Sequence, residues 1–174
     1  MLGKYIHDNL WDEKTGFLYD QYADGTLCKT KGIGAYWALF TNVLDTIQLN
    51  RMVKELDNPE TFNRKFRVPS LSADHPKYKE NGRYWQGGIW PGTNYMVIQG
   101  LVKKGYRKLA REIALNHYNE VLEVYKNTGT FWEYYSPEKA EPGFMARKEF
   151  VGWSGLPPIA ELIAVSYTHL RAHE

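Results

Sequence analysis

The chain has 174 residues, with 22 lysines and arginines against 20 aspartates and glutamates, a formal charge of +2 and an aromatic content of 15%. That length allows one domain with a real core, and the interleaved charges form no basic stripe that would point to nucleic acid. A single cysteine, Cys28, excludes an internal disulfide and a cysteine metal site, and no run is long enough to span a membrane.

Residues 2–10 are read as the end of a helix with Tyr5, Ile6 and Leu10 on one side. Residues 10–20 place two short apolar pieces around Thr15-Gly16, which predicts a small hairpin or a looped excursion at the helix end. The apolar run Ala35, Trp37, Ala38, Leu39, Phe40, Val43 and Leu44 predicts a helix over 34–44. Asp45 and Gln48 have capping-box spacing and open the next helix, whose stripe is Leu49, Met52, Val53 and Leu56. Asn58-Pro59 stops it, and residues 59–82 are polar and loop-like. A helix is expected from Pro91 to about Lys104, ended by Gly105. Tyr106, Leu109, Ala110, Ile113, His117, Val121, Val124 and Tyr125 then keep helical spacing until Asn127-Thr-Gly129. His117, on that stripe, is read as a satisfied core histidine. Pro157-Pro158 begins the last helix.

No strand run and no alternation of strands with helices is found, so the class is all-α. Short turns at one end (44–46, 104–106) and long aromatic loops at the other (59–82, 128–154) suit an α/α toroid with a cleft at one rim. An ordinary helical bundle would show the same helices.

Residues 165–174 (Val-Ser-Tyr-Thr-His-Leu-Arg-Ala-His-Glu) interrupt the stripe of the last helix without a cap. The decapeptide is identified as the translation of a transposase-adapter sequence used in preparing DNA libraries. The expectation is that the native chain ends near Ala164 and that His169 and His173 carry no function. No charged-then-apolar signal pattern opens the chain, which for a piece of a longer protein leaves its compartment unknown.

Chemistry concentrates in two stretches. The first is Arg83-Tyr-Trp-Gln-Gly-Gly-Ile-Trp-Pro-Gly-Thr-Asn-Tyr95, running into an apolar helix. Flat rings and side-chain amides are what a sugar needs, because its C–H face stacks on aromatics and its hydroxyls bond to amides. An aromatic plug in a helical core would use the same rings. The second stretch holds Phe131-Trp-Glu-Tyr-Tyr-Ser-Pro137 and Phe150-Val-Gly-Trp-Ser-Gly-Leu156. Glu133 sits between Trp132 and Tyr134, and a carboxyl walled by rings gains proton affinity, a setting for general-base work. Glu138, Glu141 and Glu149, set among polar residues, are expected to be solvated surface acids.

Together, Tyr84–Tyr95, Phe131–Pro137 and Phe150–Leu156 resemble the C-terminal half of clan-G glycoside hydrolases: family 63, including mannosylglycerate hydrolase-like domains, and the related trehalases of family 37. The resemblance covers residues 1–164. It implies part of an (α/α)6 toroid and an inverting hydrolysis of a small α-glycoside or oligosaccharide that needs no cofactor or metal. It maps the general base to Glu133 and the sugar wall to Trp85, Gln86, Trp90, Asn94 and Tyr95, with Trp132 and Tyr134 flanking the base and Trp153 bordering the pocket. Two departures are visible. Gln86 and Gly88 stand where many members have Arg and Pro, and nothing before residue 83 matches the Gly-Trp-Asp-like motif that carries the general acid. An inverting site needs two carboxyls ~6.5–9.5 Å apart, so the second, with the N-terminal half of the barrel, is expected from outside this chain. Two rival readings stay open: a non-catalytic helical carbohydrate-binding domain, and a disaccharide phosphorylase, which would need a basic phosphate site that the second stretch lacks.

Overall fold

The computed structural model describes residues 2–169, with side chains as far as Ala164. In chain order it comprises α1 (Leu2–Asn9), a hairpin of β1 (Trp11–Asp12) and β2 (Phe17–Leu18), a 3-10 helix (Ile33–Phe40), α2 (Thr46–Lys54) running into a short 3-10 turn (Glu55–Asp57), α3 (Pro91–Lys103), α4 (Arg107–Thr128) and α5 (Leu156–His169). Among the described residues no helix is long and apolar enough to cross a membrane.

The hairpin pairs Trp11 with Leu18 and Asp12 with Phe17, antiparallel, around Gly16 at φ 68°. A Cβ on Gly16 would lie 2.7 Å from the Arg51 guanidinium, which holds the turn by bonding Glu13 through Oε2 (2.6 Å) and the backbone carbonyl (2.5 Å). The helix expected over 34–44 is instead a 3-10 helix ending at Phe40. Its buried residues are Ile33, Tyr36 and Leu39. Spacing of three aligns side chains on one edge of a 3-10 helix, whereas an α-helix would rotate them apart. Thr41 closes it, with its N–H and its hydroxyl both donating to the Ala38 carbonyl.

α2 opens as its spacing predicts: Asp45 accepts the Gln48 N–H (2.8 Å) and Gln48 Oε1 accepts the Asp45 N–H (3.1 Å). α3 starts with Pro91 in its first turn, where the missing N–H costs nothing. α4 ends at Gly129, φ 73°, whose N–H reaches the Tyr125 carbonyl. α3, α4 and α5 pack on one another, and the long 3-10 helix packs on α3. The main core joins Phe17, Tyr36, Phe62, Met52 and Leu56 to Val97, Ile98 and Leu101 of α3 and Ile113 of α4. A smaller core of Phe66, Ile89, Val121, Val124 and Tyr135 lies at the loop end.

α5 continues five residues past Ala164, so the backbone does not break where the apolar stripe does. A helical backbone bonds to itself and needs no stripe to continue. The reading of 165–174 as foreign sequence falls on side chains outside those described, and residues 170–174 lie wholly outside them. His117 is core, as expected, but only half satisfied: Nδ1 lies 3.3 Å from Glu120 Oε2, while His117 Nε2 and Glu120 Oε1 have no partner among the described residues.

Candidate active site

Two backbone hydrogen bonds join the stretches that the sequence singled out. Ile89 N–H donates to the Tyr135 carbonyl (2.9 Å) and Tyr135 N–H donates back (3.0 Å). This exchange sets the turn 84–88 beside residues 132–136. The turn is tight: Tyr84 has φ 49°, Gln86 N–H bonds the Arg83 carbonyl (2.8 Å) and Gly88 N–H the Tyr84 carbonyl (3.0 Å). Glycine is required at Gly87, φ 122°, where a Cβ would also lie 2.8 Å from the Tyr78 ring.

The rings form a stack. Trp90 has Trp85 on one face (4.4 Å between ring centres, 14° between planes) and Tyr134 on the other (4.4 Å, 25°). Tyr84 and Trp153 meet it edge-on at 5.1 and 6.0 Å. Trp90 is 4% exposed, so it is the filling of the stack and presents no open face. Trp85, 48% exposed, carries the outer face. Trp153 packs on Phe150 (4.7 Å) and donates its indole N–H to the Glu133 carbonyl (2.8 Å), which brings the third motif to the second.

Glu133 is held through its backbone. Its N–H donates to the Arg147 carbonyl (2.9 Å) and its carbonyl accepts Trp153 Nε1. Its side chain makes no hydrogen bond or ion pair among the described residues, and the residue is half-buried. The ring enclosure expected of it is therefore partial, because its neighbours in sequence turn away. Tyr134 lies against Trp90 and donates to the Phe144 carbonyl (2.8 Å), while Trp132 packs on the smaller core and donates to Thr128 Oγ1 (3.0 Å). Burial, followed by the Glu133 charge, pushes the Tyr134 phenol above its usual range.

The structure thus gathers Glu133, Trp85, Gln86, Trp90, Tyr134 and Trp153 at one rim. Asn94, Tyr95 and Trp132 are elsewhere. Asn94 is 0% exposed: its Nδ2 donates to the Arg67 carbonyl (3.1 Å), and its Oδ1, without a hydrogen-bond partner among the described residues, is buried as well. Tyr95 packs on the main core. On a helix the residues after Asn94 rotate away from the loop that precedes Pro91, which spacing in sequence does not reveal. Glu138 also differs from expectation. It accepts Arg64 Nε (2.7 Å) and Tyr78 Oη (2.8 Å), tying the loop 59–82 to the second stretch, whereas Glu141 and Glu149 are exposed. Sequence reading also passed over Ser70, whose hydroxyl and N–H bond to the turn 84–88. Its one signal was a place in the turn-forming cluster Pro69-Ser70. Among the described residues no three His, Cys, Asp or Glu side chains come together as a metal site.

Helices packed on a main and a smaller core, with a carboxylate and stacked rings at the loop rim, fit the class of α/α toroid glycoside hydrolases. The chain belongs to the mannosylglycerate hydrolase MGH1-like glycoside hydrolase domain family, whose model matches residues 2–168. Mannosylglycerate hydrolase of Thermus thermophilus is 28% identical over 131 residues, 74% of this chain and 29% of that protein. A probable mannosyl-oligosaccharide glucosidase of Schizosaccharomyces pombe is 26% identical over 167 residues, 87% of this chain and 20% of that protein. The fold is shared with the Thermus thermophilus family 63 mannosylglycerate hydrolase (TM-score 0.68, 23% identity, 88% of this chain and 34% of that one). It is shared also with neutral trehalase Nth1 of Saccharomyces cerevisiae (TM-score 0.75, 17% identity, 98% of this chain and 30% of that one). The chain therefore spans about a third or less of the length of these relatives.

Proposed function

We propose that this chain supplies the general base and one aromatic wall of the sugar site of an inverting α-glycosidase, acting on a small α-glycoside or oligosaccharide. The observation that carries the reading is Glu133: a half-buried carboxylate with no side-chain partner among the described residues, fixed by two backbone hydrogen bonds beside the Trp85–Trp90–Tyr134 stack. A base must be unpaired to take a proton from water and rigid to aim that water at the anomeric carbon. The outer face of Trp85 suits the C–H face of a sugar ring, and the Gln86 amide, which makes no hydrogen bond among the described residues, suits its hydroxyls.

The proton for the leaving oxygen comes, in this reading, from a carboxyl outside these 174 residues, in the remaining part of the barrel. Asp12 is engaged with Lys29, Glu13 with Arg51, Glu55 with Lys31 and Glu138 with Arg64, so none of these four is a free proton donor. General acid catalysis contributes ~10²–10⁴-fold, so the chain alone is expected to hydrolyse no glycoside.

The test has two arms, run with trehalose, kojibiose, nigerose and mannosylglycerate. In the full reading frame that contains this chain, Glu133→Gln should abolish hydrolysis while sugar binding survives. Undiminished turnover would remove the base assignment and leave a carbohydrate-binding role. For residues 1–174 alone, turnover above the Glu133→Gln control would place the acid within the chain.

A further inference from the structure

The residue that sets the aromatic wall lies outside every motif that the sequence brought forward. Ser70 is 6% exposed. Its hydroxyl accepts the Gly87 N–H (3.2 Å) and donates to the Tyr84 carbonyl (3.4 Å). Its own N–H donates to the Gly88 carbonyl (3.1 Å), and its carbonyl accepts the Ile33 N–H (3.1 Å). One residue therefore grips both ends of the turn that carries Trp85. The turn needs the grip, because Tyr84 and Gly87 both have positive φ, a region that disfavours a bulky tyrosine.

The segment leading to Ser70 is itself strained. Val68 is fully buried, β-branched and followed by Pro69, yet has φ 64°. Such a conformation persists only where its surroundings over-determine it. Here Val68 N–H bonds the Phe62 carbonyl (2.9 Å), Arg67 N–H bonds Asn116 Oδ1 (2.8 Å) and the Arg67 carbonyl accepts Asn94 Nδ2 (3.1 Å). Loop, α3 and α4 together force the left-handed residue, and two residues later the hydroxyl meets the turn.

We infer that Ser70 is a positioning residue of the candidate active site, locking the turn 84–88 so that Trp85 lies flat on Trp90 with its outer face toward the sugar. The inference rests on the sugar-binding role proposed above for that wall. Ser70 is buried and touches no substrate. Replacing it with alanine leaves the Gly87 N–H without a partner, and the turn then relaxes toward conformations that ease Tyr84. A serine that only filled space would weaken the fold without moving Trp85.

The experiment uses the full reading frame that contains this chain, labelled with 5-fluorotryptophan, with the Trp85 fluorine resonance assigned by Trp85→Phe. In the unsubstituted protein, the ring current of Trp90 should displace that resonance from the free-indole position. Ser70→Ala should return it toward that position and weaken binding of D-glucose or D-mannose about tenfold. Ser70→Cys, whose thiol is a weaker donor, should fall between and serves if the alanine variant does not fold. Met52→Ala, in the fully buried main core and bonded to no residue of the turn, is the stability control: it should lower the melting temperature and leave the Trp85 resonance in place. A Ser70→Ala protein that loses stability like this control while Trp85 stays displaced overturns the inference. A Trp85 resonance released by Ser70→Ala, in a protein on which neither sugar moves any tryptophan signal, supports the positioning role and overturns the sugar reading.

Discussion

Glu133 and Trp153 are 20 residues apart in sequence and one hydrogen bond apart in space, and that bond fixes the backbone of the only unpaired carboxylate seen beside the aromatic stack among the described residues. A different logic governs His117 and Glu120, buried together behind Tyr135 at 1% and 0% exposure. Burial holds His117 neutral, moving its pKa from 6.5 down to about 3, and it pushes the Glu120 carboxyl well above the usual range, aided by the Glu123 charge. The two act on stability with opposite sign. For His117 the unfolded state alone takes a proton between pH 6.5 and 3, so stability is lost as pH falls through that window. For Glu120 the unfolded state alone releases a proton above pH 4.5, so stability is lost as pH rises. Glutamine keeps a donor for His117 Nδ1 and has no proton to lose. Glu120→Gln should therefore match the unsubstituted protein near pH 4 and gain in melting temperature as the pH is raised to 8. Thermal unfolding across that range checks it, and an equal offset at every pH would show that Glu120 is ionised in the fold.

At the scale of elements, the contact between the long 3-10 helix and α3 depends on a missing side chain. A Cβ on Gly100 would lie 2.6 Å from Leu39 Cβ and 3.0 Å from its Cδ1, and Leu39 is fully buried with nowhere to move. Gly100→Ala gains about 0.5–1 kcal/mol of helix propensity and loses about 1–3 kcal/mol to overpacking. The clash wins, and a net loss of about 1–2 kcal/mol is expected from urea unfolding. Leu39→Gly in the same chain removes both contacts, so the double variant should be less destabilised than the sum of the two. Additive losses would mean that the two helices do not meet at Gly100.

For the whole molecule, the notable feature is uncovered apolar surface away from the candidate site. A groove of about 350 Å³ between α1, the hairpin and the 3-10 helix is lined by Ile6, Leu10, Leu18, Ala35, Trp37 and Val43. Trp37 is 41% exposed there, and Tyr5 and Ile159 are exposed on α1 and α5. Apolar surface of this kind is covered in a toroid by neighbouring helices and is a liability when open. Residues 1–174 expressed alone are expected to self-associate, with the apparent mass in sedimentation velocity rising with concentration and falling in Trp37→Lys. A monodisperse monomer with a sharp unfolding transition would show that the groove is tolerated as it stands.

What the sequence determined by itself was local or carried by motif. The capping box of α2, Pro91 at the start of α3, the glycine stops at 105 and 129 and the stripe of α4 each depend on neighbours within a turn or two, and all are read correctly from the chain. The order of the aromatic motifs was equally enough to indicate the family. Tertiary structure decided what depends on distant partners. It turned the run 33–40 into a 3-10 helix, with Leu39 packed against Gly100 of α3. It buried Asn94 on the Arg67 carbonyl and sent Trp132 to the smaller core, and it made Trp90 the filling of a stack whose open face belongs to Trp85. Ser70 was invisible beforehand for the same reason: its partners in the turn 84–88 are 14 to 18 residues away, and no periodicity or propensity carries information over that distance.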